Sequence, residues 1–242
     1  MKKRTRIILS VCLAVLLVIG IGSYAYLSDY YHADEVALEA MAYQTDSVQA
    51  EQDGDVIWFV PKDPTAGLIF YPGGKVENTA YAPLLRACAE QGILCALVQM
   101  PGNLAVLDAN AADGLQQEHP EITTWYIAGH SLGGAMAAGY AAAHEKDYDG
   151  LILLAAYSTK NLTDTPLRVL SVYGSEDGVM NRESYEKNRA NLPADTIEVV
   201  LDGGCHSQFG SYGPQDGDGI PTISGEEQVR QTAEAIAAFV GQ

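Results

Sequence analysis

The sequence predicts an α/β fold, a mostly parallel sheet with helices on both faces, preceded by one N-terminal transmembrane helix. Three observations predict it. From residue 56 onward, short runs rich in Val, Ile, Leu and Tyr alternate with helix-period segments, the pattern of parallel strands joined by crossover helices. Gly129-His130-Ser131-Leu132-Gly133 lies between one such run and a helix of small residues, so it reads as a sharp strand-to-helix turn with a serine at its apex. Residues 7–27 are 21 positions without a charge, preceded by Lys2, Lys3, Arg4 and Arg6.

The elements follow in order. The run 7–27 is long enough to span a bilayer as a helix and exceeds the apolar region of most signal peptides. Its basic flank is expected to stay cytoplasmic, with the rest of the chain outside. Residues 1–27 therefore read as basic flank and uncleaved signal-anchor in the cell membrane. Secretion after cleavage behind Ser23-Tyr24-Ala25 is the alternative. Cys12 is a poor lipidation site, because Val11 stands where a small residue is expected. Residues 28–46 read as a polar-aromatic connector with a short helix over 35–41, and 47–242 as the globular domain. Strands are expected at 56–60, 67–71, 93–98, 123–128, 151–155, 167–173 and 196–201. Helices are expected at 81–90, 104–118, 133–144, 183–191 and 226–240. Ser224 can cap the last of these, with Glu227 three residues on as its reciprocal partner. Only about ten residues join the strand at 151–155 to the next one. That is too few for a helical cover, so the site should be open.

Charge and cysteines narrow the function. Four of the 14 Lys and Arg precede residue 28 and none of the 31 Asp and Glu does, leaving the rest of the chain at −21. So acidic a body argues against nucleic acid and against lying flat on anionic lipid; its membrane partner is the N-terminal helix alone. Outside that helix are Cys88, Cys95 and Cys205, an odd number, so at least one is unpaired in a monomer. No Cys/His spacing suggests a metal. Asp216-Gly217-Asp218-Gly219 lacks the further ligands of a calcium loop and reads as a turn-rich segment.

A serine hydroxyl is a poor nucleophile until a histidine and a carboxylate activate it. For a serine on a strand-to-helix turn, these follow in the order Ser, acid, His. His32 and His119 precede Ser131, His130 adjoins it and His144 ends the following helix. His206 remains as general base, in the glycine-rich loop after the last strand. His130 reads as structural. The acid should follow the strand at 167–173, where the turn is Gly174-Ser175-Glu176-Asp177-Gly178. Asp177 is preferred, since a short side chain on a tight turn is held more rigidly; Glu176 is the alternative, and Asp202 lies too close to His206 in sequence. Oxyanion donors are expected from the Leu132 amide, just after the nucleophile, and from Gly74 (or Gly73) in Tyr71-Pro72-Gly73-Gly74-Lys75. Phe209 and Tyr212, close after the base, are candidates for the acyl pocket.

On these residues, the chain from about 54 to 242 resembles the α/β-hydrolase superfamily, in particular its small, lidless, dienelactone-hydrolase-like members. The loop from Tyr71 to Val76, the turn at Ser131, then Asp177 and His206 match that family's oxyanion loop, nucleophile, acid and base in order. The stretch Gln208-Phe209-Gly210, Tyr212-Gly213-Pro214 and Gly217-Asp218-Gly219 is similar to the segment after the base in bacterial membrane-tethered hydrolases. Dienelactone hydrolases carry a cysteine where this chain has Ser131. The resemblance implies a serine hydrolase of small-molecule carboxylic esters that works through an acyl-enzyme and needs no metal or organic cofactor. A thioesterase or peptidase on the same triad is the alternative, and a non-catalytic tethered binding module is a third reading.

Overall fold

Strand-forming runs of β-branched and aromatic residues build the centre of the molecule. A computed structural model describes residues 3–241. Among them are eight strands: β1 (Val48–Asp53), β2 (Val56–Pro61), β3 (Ala66–Tyr71), β4 (Ile93–Val98), β5 (Trp125–His130), β6 (Gly150–Leu154), β7 (Arg168–Gly174) and β8 (Ile197–Leu201). They form one sheet in the order β1-β2-β4-β3-β5-β6-β7-β8. The β1–β2 and β2–β4 pairings are antiparallel and the others parallel. Side chains on the central strands alternate between two apolar layers. Leu68, Phe70, Tyr126, Ala128, Ile152 and Leu154 enter one layer, while Ile69, Tyr71, Trp125, Ile127, Leu151 and Leu153 enter the other.

Helices cover both faces. The first unit, up to Tyr30, is helix α1 (Lys3–Ser28), whose Ser10–Ser28 stretch is long and apolar enough to cross a membrane. An anchor and a signal sequence share that property. Lys2 of the basic flank lies outside the described residues, as do the side chains of Lys3 and Arg6. In the second unit, from Tyr31 on, the helices are α2 (Glu35–Ala42), α3 (Ala82–Glu90), the single turn α4 (Leu115–Glu118), α5 (Leu132–Ala143), α6 (Arg182–Asn188) and α7 (Gly225–Val240). Ser224 caps α7 by accepting from the Glu227 amide at 3.1 Å, as the sequence suggests.

Three segments differ from expectation. Residues 104–118 are not one helix but a 3₁₀ turn at Ala105–Leu107 and, after an irregular stretch, α4. Gly114 sits at φ 85°, and the Tyr71 hydroxyl donates to the Ala109 carbonyl and accepts from the Ala112 amide, pinning the chain in an irregular path. Strand β1 has a polar sequence with little alternation because it lies at the edge of the sheet, so no apolar pattern announces it. The segment from Tyr31 is docked onto the globular unit. Its Tyr31 amide donates to the Lys75 carbonyl (2.8 Å) and its carbonyl accepts from Glu77 (2.9 Å), a short β-bridge beside the loop after β3.

Cys88, Cys95 and Cys205 are buried and free.

Candidate active site

Ser131 sits where β5 turns into α5, at φ 51° and ψ −121°, a left-handed conformation that strains a residue with a Cβ. Two contacts hold it there: its amide donates to the Leu154 carbonyl (2.9 Å), and its own carbonyl accepts from the Ala135 amide (3.1 Å). The glycines around it are needed for close approach. A Cβ on Gly129 would lie 2.5 Å from the Gly133 carbonyl carbon, and one on Gly133 would lie 2.2 Å from the Pro72 oxygen. Strand, helix and the loop after β3 can meet only because those side chains are absent.

The loop after β8 brings His206 to this turn. Its ring centroid lies 4.5 Å from that of His130, the neighbour of Ser131. His206 Nδ1 is 2.9 Å from Asp177 Oδ2, and both side chains are buried. The other Asp177 oxygen accepts from the Val179 (2.9 Å) and Met180 (2.8 Å) amides, so the carboxylate is fully occupied and fixed in orientation. Glu176, the other acid of the turn, points elsewhere, accepting from the Ser175 hydroxyl at the surface. His206 Nε2 is buried with no partner among the described residues. It is the ring nitrogen left for a proton transfer once Nδ1 is held by the acid.

Across the turn lies the loop Pro72-Gly73-Gly74-Lys75. The Gly73 amide donates to the Tyr81 hydroxyl (3.0 Å), which in turn lies 2.8 Å from His130 Nδ1. Burial keeps the Tyr81 phenol protonated far above its ordinary value. The hydroxyl therefore donates to Nδ1 while keeping its proton, and neutral His130 carries its own proton on Nε2. Burial, and then the proximity of His206, hold the His130 imidazole well below the ordinary histidine value. Gly74 packs directly over Leu132, the first residue of α5: a Cβ on Gly74 would lie 2.8 Å from Leu132 Cδ2. A first-turn amide such as that of Leu132 has no intrahelical partner. Since Gly73 is committed to Tyr81, Gly74 is the glycine of the pair left to donate.

The structure thus brings Ser131, His206, Asp177, Leu132 and Gly74 to one end of the sheet, at the carboxyl ends of the parallel strands. Phe209 and Tyr212, the acyl-pocket candidates, are 0% and 6% exposed. Both are buried in the apolar layer, Phe209 behind His130 (ring centroids 5.5 Å apart) and Tyr212 against Tyr31 (5.5 Å). The remaining histidines are tied up elsewhere, His32 near Glu77, His119 near Glu121 and His144 stacked on Tyr140. Sequence reasoning missed Tyr81, whose position in a helix start carries no signal, and Asp218, which reads as an ordinary turn residue.

A family model described as the alpha/beta hydrolase family matches residues 67–230. No curated protein matches the sequence. Among solved structures, TT1662 from Thermus thermophilus superposes with a TM-score of 0.58 at 15% identity, covering 81% of this chain and 99% of that one. A protein described as a predicted CIB-like hydrolase from Thermoplasma acidophilum gives 0.58 at 16% identity, covering 79% and 99%. Est1E from Butyrivibrio proteoclasticus gives 0.58 at 14% identity, covering 81% and 100%. Likeness at such identities speaks to the fold alone.

Proposed function

The chain belongs to the alpha/beta hydrolase family, and from that premise we propose that it is a serine hydrolase of carboxylic esters, tethered to the membrane by α1 with its catalytic domain outside the cytoplasm. The observation that carries the catalytic reading is the buried 2.9 Å pair of His206 Nδ1 and Asp177 Oδ2 beside a serine held at φ 51°. Asp177 fixes the imidazole with its free nitrogen, Nε2, available and stabilises the cation that forms. His206 Nε2 takes the Ser131 proton as the hydroxyl attacks the ester carbonyl. The negative charge on the carbonyl oxygen is met by the Leu132 and Gly74 amides, fixed dipoles that need no reorganisation. The tetrahedral intermediate collapses as His206 protonates the departing alcohol, leaving an acyl-enzyme. Water, deprotonated by His206, releases the acid by the same path.

The test is a fluorophosphonate probe, which phosphonylates an activated serine and expels fluoride. Labelling of the folded protein should be complete at Ser131 and absent in Ser131→Ala. Labelling that survives in Ser131→Ala would overturn the assignment.

A further inference from the structure

The most heavily engaged carboxylate near the site is not Asp177 but Asp218, in the loop the sequence marks only as glycine-rich. Its Oδ1 accepts from the His206 amide (3.1 Å), the Gly178 amide (3.2 Å) and the Gly219 amide (2.9 Å), and its Oδ2 accepts from the Ser207 amide (2.8 Å). Two of those donors belong to the base and its successor, and one to the residue after the acid. A single side chain therefore spans the base loop and the acid turn. Backbone packing supports the same junction. A Cβ on Gly219 would fall 1.8 Å from the Glu176 carbonyl oxygen, and one on Gly178 would fall 2.6 Å from that of Gly217. The absent side chains at Gly219 and Gly178 are what allow this approach, and Gly217 turns the chain at a φ of 84°. Burial pushes the Asp218 carboxyl up, but the amides of Ser207, His206 and Gly178 outweigh it and hold the group below its ordinary value. It is thus ionised at neutral pH, and hydrogen bonds to an ionised acceptor are roughly twice as strong as neutral ones.

We propose that Asp218 is a positioning residue, fixing the backbone of His206 against the acid turn so that the imidazole meets both Asp177 and Ser131; this rests on the serine-hydrolase reading above. Asp218 itself touches no reacting atom. Its effect is geometric, and displacement of a catalytic group by about 1 Å can lower a rate about 10²-fold.

The test compares Asp218→Ala and Asp218→Asn in the full chain. Asp218→Asn keeps the oxygen facing His206 and Gly178 but presents an amide nitrogen to Ser207. Asp218→Ala should lower kcat about 10²-fold with KM changed less than about threefold, and Asp218→Asn should recover roughly tenfold of that loss. Fluorophosphonate labelling should slow in parallel. The downfield proton resonance of the His206–Asp177 hydrogen bond should shift or broaden in Asp218→Ala, which a merely folded-state loss would not produce in molecules that remain folded. Combined with Asp177→Asn, the second substitution should cost much less than alone, because a base already out of tautomeric control has less to lose from displacement. An unchanged kcat in both variants, or strict additivity with Asp177→Asn, would overturn the role of Asp218. Persistent labelling of Ser131→Ala would instead remove the reading beneath it, so the two failures are distinguishable.

Discussion

At Asp177, two acids compete for one role, and geometry separates them. The Asp177 carboxylate meets His206 Nδ1 and two backbone amides, while Glu176 faces solvent. In a well-studied protease the amide replacement of this carboxylate lowers kcat about 10⁴-fold by stabilising the wrong tautomer. Asp177→Asn is expected to lose a comparable factor and Glu176→Gln less than about tenfold, measured as kcat on one soluble ester; the reverse ranking would move the role to Glu176. His130 carries a different consequence. Its imidazole is kept neutral well below the ordinary value of 6.5, so beneath that pH the unfolded chain binds a proton that the folded chain refuses. Stability from this site is therefore full above the unfolded value and is lost as pH falls toward the depressed folded one, by up to about 1.4 kcal/mol per pH unit. His130→Asn, which keeps an acceptor for Tyr81, should flatten that slope between about pH 5 and 7 in urea denaturation. An unaltered slope would show that other groups set it. At this scale Ser131 and His206 were legible because chain order leaves no other histidine. Tyr81 and Asp218 were not, since each acts on backbone amides, which leave no mark in a residue string.

Elements were legible where their apolar pattern serves the core and illegible where something else shapes them. Strands β3 and β4 bury every side chain and read as unbroken apolar runs. Strand β1 faces a partner on one side only and has the burial of a half-wet edge. The segment 104–118 carries helix-compatible spacing, but the Tyr71 hydroxyl and Gly114 override it, a tertiary contact defeating a weak local preference. A tight junction of elements lies at Gly133, where α5 leaves the turn against the loop after β3. Because a Cβ there would meet two backbone oxygens, at 2.2 and 2.3 Å, Gly133→Ala must push the loop after β3 away from Leu132. It is expected to destabilise the fold by at least the roughly 1–3 kcal/mol of an overpacked core site and to lower kcat more than KM. A variant with wild-type melting and turnover would show that the loop moves freely. Gly139, with open space around it, makes the natural control, since alanine there should be neutral or mildly stabilising.

Along the chain, one apolar helix is followed by an acidic globular unit. If α1 is an anchor, the full-length product fractionates with membranes and begins before residue 26; a mature N-terminus at Tyr26 would show a cleaved signal instead. The 13 residues between β6 and β7, Ala155 to Leu167, are too few for a helical cover at that place. Hydrolysis of p-nitrophenyl esters from acetyl to dodecanoyl should therefore show no jump in rate at the micellar threshold, and a jump would reveal a cover in the long loop after His206. If α1 is an anchor, the docking of Tyr31 bears on where the chain could be cut from it. Its main chain bonds to Lys75 and Glu77, its hydroxyl accepts from the Asp216 amide (3.2 Å), and Ala33 donates to Glu77 (3.0 Å). The residues just after α1 thus brace both the loop that carries Gly74 and the loop that carries Asp218. A cut before Tyr31 would leave all of these contacts in the released body, whereas a cut after Ala33 would put Tyr31 and Ala33 on the other fragment. Chains starting at Tyr31 and at Asp34 should therefore differ in hydrolysis of a soluble ester, the first keeping the turnover proposed above and the second losing part of it; equal turnover would show that these contacts do not matter to the site.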